Sequence, residues 1–162
     1  MATLKSSTLH AALTGGWFGA GLSDGVRTQL AGLATEATYP AGAIVLHEGA
    51  PVDALGIVVE GRVAIQLHVP DRGMQTILTV EPGDLVGWSA LVTPHRSTST
   101  VIALEPTTVV NVDGPALRAA IEADPVLAAA VLSRVLEAVG RRLTATRTQL
   151  LDLFARSAEE PW

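Results

Sequence analysis

The sequence predicts an α+β protein: a β jelly-roll barrel, or double-stranded β-helix, with a helical N-terminal lead and a long C-terminal helix that pairs two chains. Two observations carry that expectation. Between about residues 39 and 112 apolar side chains recur with a period near two, and Pro70-Asp71-Arg72-Gly73, Glu81-Pro82-Gly83-Asp84 and Glu105-Pro106-Thr107 punctuate the run as turns. Beyond Asp113 the period becomes that of a helix. Several short strands at regular spacing fit a double sheet, which controls its own strand edges.

On this reading a single domain divides into a lead at 1–36, a barrel at 37–112, terminal helices at 113–156 and a tail at 157–162. In the lead, Ser23 is suited to cap a helix with Asp24 at the positive end of its dipole, and Val26, Leu30 and Leu33 recur at i, i+4 and i+7. Trp17 and Phe18 are expected as core anchors, because large rings are buried for their area. In the barrel, Val63, Ile65, Leu67 and Val69 point to one side of a strand while Arg62, Ala64, Gln66 and His68 point to the other, polar side.

Asp113-Gly114-Pro115 and Asp124-Pro125 each set a capping carboxylate just before a proline that the first helical turn tolerates. The second helix is expected from near Pro125 to Phe154. Within it Leu136, Val139, Leu143, Thr146, Leu150 and Leu153 succeed one another at spacings of three and four, which is a heptad seam. Such a seam would strand apolar surface on a monomer, so a homodimer paired through residues 132–154 is expected. Packing of the helix onto its own barrel is the alternative.

A length of 162 residues with 48% hydrophobic and 17% charged side chains gives a folded domain with a sizeable core and excludes a disordered chain. The formal net charge of −5 argues against a nucleic-acid-binding face, and the basic cluster Arg141, Arg142 and Arg147 reads as a solvated helix flank. Residues 126–132 form the longest apolar run near the tail, far short of the roughly 20 residues of a membrane span. Ser6, Ser7, Thr8 and His10 break up the stretch after Lys5, so no secretion signal is read there. With no Cys, disulfide and thiolate chemistry are out of reach, and a cytoplasmic location is expected.

The segment Gly83-Asp84-Leu85-Val86-Gly87-Trp88-Ser89-Ala90-Leu91 is followed within a few residues by Pro94-His95-Arg96-Ser97-Thr98. Upstream, Gly49-Ala50-Pro51-Val52-Asp53-Ala54-Leu55-Gly56-Ile57-Val58-Val59-Glu60-Gly61-Arg62-Val63 sets a buried strand between two glycine turns. Together with the helical tail, these runs resemble the cyclic-nucleotide-binding domain of CRP/FNR-like sensors over nearly the whole chain. The resemblance implies a phosphate site in which a Gly-rich turn leads into a short helix, an acid on that helix takes the ribose hydroxyl, and an Arg-Ser pair completes the anion grip.

By that resemblance Gly87, Trp88, Ser89 and Ala90 occupy the short helix, with the amides of Ser89 and Ala90 as anion donors. Trp88 stands where the family has its acid. An indole cannot accept the ribose proton, so it either stacks on a base or fills the pocket. Arg96, Ser97 and Thr98 are the phosphate-loop candidates. Arg96-Ser97 reproduces the pair in identity, yet counting back from Val101 and Ala103 puts the family's Arg at Ser97. On the long helix, the family's purine-reading Thr-Ser falls on Thr146 and Arg147, although a hydroxyl in a seam also resembles a register-setting polar residue.

The function implied is a stand-alone regulatory domain that binds cyclic AMP or another small anion, acts as a homodimer and signals in trans to an unidentified effector protein. No cofactor is expected. The chain stops at Glu159-Glu160-Pro161-Trp162 without the helix-turn-helix that CRP-like regulators carry, so no DNA reading by that route is expected, and no membrane contact. A degenerate barrel plugged by Trp88, serving as a protein-interaction module, is the alternative. A metal-dependent enzyme of the cupin type is a second one, but His47, His68 and His95 do not form the His-X-His with a following Glu that such a site needs.

Overall fold

Two antiparallel four-stranded sheets face each other, in the orders β1-β8-β3-β6 and β2-β7-β4-β5. The strands are β1 Ala34–Tyr39, β2 Ile44–Leu46, β3 Ala54–Glu60, β4 Val63–Val69, β5 Gly73–Val80, β6 Leu85–Val86, β7 Thr100–Ala103 and β8 Thr107–Asp113. Before them lie α1 Ser6–Thr14, α2 Gly16–Gly19 and α3 Asp24–Gly32; after them come α4 Gly114–Ala123 and α5 Pro125–Ala158. The structure, a computed structural model, describes residues 6–158 and the side chains of 8–152. The side chains of Leu153 and Phe154, Lys5, and residues 159–162 of the expected tail lie outside the described residues. The barrel starts slightly earlier than its period suggests, since β1 begins at Ala34 inside the expected lead. The last helix also runs past Phe154.

The first sheet is sandwiched on both faces. Val58, Val63, Val80, Val86, Val101 and Val109 fill the space between the sheets, whereas Leu55, Ile57, Val110 and Val112 join Phe18, Leu30, Leu117, Leu127, Val131 and Val135 on the helix side. Burial on two faces explains why β3 and β8 read as near-continuous apolar runs rather than clean alternation. In β4 the expected alternation weakens, because Ala64 is buried and the pairing with β5 shifts register between Ile65 and Gln66.

The helix starts are set by their caps. Ser23 Oγ accepts from Val26 N, Asp113 Oδ1 accepts from Ala116 N at 2.8 Å, and Asp124 Oδ1 accepts from Val126 N at 2.9 Å. Asp124 also binds Gln29 Nε2 of α3 at 2.9 Å, and chiefly through that bond its carboxyl lies below the ordinary aspartate range. The lead is fastened to the barrel at a close glycine pair. A Cβ on Gly83, whose φ is 88°, would stand 2.6 Å from Gly16 Cα, and Phe18 N donates to Gly83 O at 3.0 Å. Among the described residues no helix is long and apolar enough to cross a membrane.

Candidate functional site

A cavity of about 290 Å³ opens between the second sheet, the cassette and α5. Leu46, Ile65, Leu67, Ile77, Leu78, Val86 and Val101 give it an apolar wall. Gly87, Trp88 and Ser89 come from the cassette, Ser97, Thr98 and Ser99 from the following loop, and Arg142 and Thr146 from α5. Segments far apart in sequence are thus brought to one place by the sandwich and the returning helix.

The cassette turns sharply because Gly87 takes φ 70°, in the left-handed region, and a Cβ there would stand 2.7 Å from Ala54 O. A single 3-10 turn, Trp88–Leu91, comes next. Trp88 is half-buried, packed against the helix-side core at the cavity wall, and the space beside it stays open. Ser89 is buried and reaches the cavity. Ala90 does not. It is buried behind the wall, its N–H donates to Gly87 O at 2.9 Å and its carbonyl accepts from Arg118, so the amide expected as an anion donor is already committed to closing the turn.

The loop settles the register between Arg96 and Ser97. Ser97 N donates to Ala50 O at 2.9 Å, Gly49 N donates to Ser97 O at 2.8 Å, and Arg96 forms a bridge with Pro51. This short ladder turns Ser97 inward, and side chains alternate across such a ladder, so Arg96 points away. Arg96 Nη1 donates to Gly49 O at 2.6 Å and is absent from the cavity wall. Ser97 occupies the position reached by counting back from Val101, with its hydroxyl donating to Ser99 O at 2.6 Å. For any phosphate-bearing ligand of this cavity, Arg96→Ala is accordingly expected to change affinity by less than about twofold in calorimetry, against the roughly ten- to hundredfold loss that accompanies removal of a charge-assisted contact.

On α5, Thr146 lines the cavity and its Oγ1 donates to Arg142 O at 2.8 Å, while Arg147 is exposed and outside the wall. The basic cluster is not a uniform solvated flank. Arg141 lies over the Trp17 ring at 4.0 Å and pairs with Asp84 at 3.2 Å; Arg142 is folded inward, with 15% of its side chain exposed. Its Nη2 donates to Leu85 O, and Asp84 Oδ1 lies 3.9 Å away. Burial lowers the Arg142 pKa from its ordinary value, with Asp84 opposing the shift and Arg141 adding to it. Helical spacing shows that Arg142 and Thr146 share a face, four residues apart, but nothing local says which face meets the cavity.

Residues 36–124, more than half of the chain, match the cyclic nucleotide-binding domain family. The chain belongs to that family. Over 117 residues this cyclic nucleotide-binding domain is 32% identical to a CRP-like cAMP-activated global transcriptional regulator of Mycobacterium tuberculosis, covering 72% of this chain and 50% of that protein. It therefore spans about half the length of the curated relatives it matches. The N-terminal domain of a transcriptional regulator from Streptomyces coelicolor A3(2) is 29% identical with a TM-score of 0.65, over 86% of this chain and 94% of that one. A cyclic nucleotide-binding domain from Methylobacillus flagellatus KT shares the fold with a TM-score of 0.76 at 24% identity, over 90% and 81% of the two chains. The family is regulatory rather than enzymatic, which removes the cupin-type alternative.

Proposed function

We propose that this cyclic nucleotide-binding domain is a sensor that takes an anionic nucleotide into the cavity, works as a homodimer, and signals through α5 to a partner protein. The observation that carries this reading is the open cavity between the Trp88–Leu91 turn and Thr146. A degenerate barrel plugged by Trp88 would have no such space. Its volume of about 290 Å³ sits at the lower edge of the roughly 300–1,000 Å³ common for small-molecule sites.

The cavity combines two chemistries. Ser89 and Thr98 bring hydroxyls to its wall, the Ser97 proton being engaged with Ser99 O, and the apolar side chains suit a base. The Thr146 proton is engaged with Arg142 O, so its oxygen is left to accept, which suits the exocyclic amino group of adenine. The helix that carries Thr146 turns other residues outward: Leu136, Leu143 and Leu150 are 73%, 50% and 52% exposed. Between them Gly140 would meet nothing within 4 Å if it bore a Cβ, so a second helix can approach closely. Ligand and partner copy would thus meet adjoining flanks of one helix, with Thr146 one turn from Leu143 and Leu150. The test is calorimetric titration of the natural protein with cyclic AMP and cyclic GMP. Saturable binding that favours cyclic AMP is expected, and heat from neither nucleotide would overturn the sensor reading.

A further inference from the structure

The cavity holds no loop arginine, because Arg96 turns to Gly49 and Ser97 takes the inward position. Among the described residues of the wall, Arg142 is the one charged side chain. Its hydrogen bonding inside the protein is sparse for a guanidinium with 15% of its side chain exposed. Of five N–H donors, one meets Leu85 O, and the nearest carboxylate oxygen, on Asp84, is beyond hydrogen-bond reach at 3.9 Å. Its remaining nitrogens are not sealed off as orphaned donors, and Arg142 lines the cavity, so an anion there has charge-assisted bonds to gain.

We infer that Arg142, delivered by α5 rather than by a barrel loop, is the cation that holds the phosphate of the ligand. This rests on the sensor reading above and adds how binding reaches the helix. A phosphate held by a loop arginine would be gripped by the barrel alone. Held by Arg142, it bonds directly to the element that carries Leu136, Leu143 and Leu150. The ligand then competes with Asp84, which caps Leu85 N at 2.7 Å and keeps Arg141 as its nearer partner at 3.2 Å. Arg141 lies on Trp17, so the lead and the helix stay joined when Arg142 turns to the ligand.

Calorimetry with cyclic AMP, with and without inorganic phosphate as competitor, tests this on the natural protein, Arg142→Gln and Asp84→Asn. Arg142→Gln is expected to weaken cyclic AMP about ten- to hundredfold, the usual consequence of losing a charge-assisted bond. Asp84→Asn keeps the acceptor for Leu85 N and removes the competing charge, so affinity should tighten by about two- to fivefold, a gain that a purely structural arginine would not produce. Phosphate should compete with cyclic AMP in the natural protein and not in Arg142→Gln. Unchanged affinity in a folded Arg142→Gln protein, or weaker binding in Asp84→Asn, overturns the inference while the sensor reading stands. Absence of cyclic AMP binding to the natural protein removes both. Should Arg142→Gln fail to fold, the Asp84→Asn result decides.

Discussion

Leu143→Glu is expected to turn a dimer into a monomer while the barrel stays folded. Leu143 is half exposed on the protomer, so its replacement costs the isolated domain little. In a parallel helix pair the same position faces its copy, where each buried Leu contributes about 1.5–3 kcal/mol and two facing carboxylates would lose hydration without a partner. The combined effect should weaken association by roughly a thousandfold or more. Light scattering or sedimentation would show it as a halved mass, with the thermal melt of the barrel retained. A natural protein that is monomeric at tens of micromolar, on the order of an ordinary working concentration, would remove the dimer from the proposed function.

Trp88→Glu is the second large effect, and here the two readings of the indole have opposite signs. If the ring filled the space of a ribose, a carboxylate would supply the missing acceptor and cyclic AMP would bind more tightly. The open cavity beside Trp88 supports the other outcome. Loss of a wall that stacks on the base would forfeit about 1–3 kcal/mol, and the new carboxylate would share the cavity with Arg142 and draw it away from the phosphate. Affinity for cyclic AMP is therefore expected to fall about ten- to hundredfold. Circular dichroism should accompany the titration, because Trp88 also packs on the helix-side core. Tighter binding by the variant would mean that the indole obstructs the site.

The caps at Ser23, Asp113 and Asp124 were legible in the sequence because each depends on residues two or three positions away. The glycine turns were legible for the same reason: Gly83 and Gly87 take backbone conformations that other residues adopt only under strain. The heptad pattern on α5 was legible as well, but not that the two edges of its stripe meet different partners. Val139 and Thr146 turn to the barrel and the cavity, while Leu136, Leu143 and Leu150 turn outward. A helix repeat says which residues share a stripe only to within the width of that stripe, and a broad stripe that packs on its own barrel along one edge satisfies a heptad template as readily as a narrow seam does.

Periodicity, caps, turn chemistry and the motif resemblance by themselves determined the jelly roll, its terminal helix and the cassette from Gly83 to Leu91, since each arises from neighbours along the chain. Which way Arg96 and Arg142 point was decided by tertiary structure alone. The ladder between residues 49–52 and 95–97 turns Arg96 away, and the line along which α5 crosses the barrel carries Arg142 inward. Both orientations arise from pairing between segments tens of residues apart, and a side chain's exposure there is set by what the partner segment covers, a quantity that no local pattern contains.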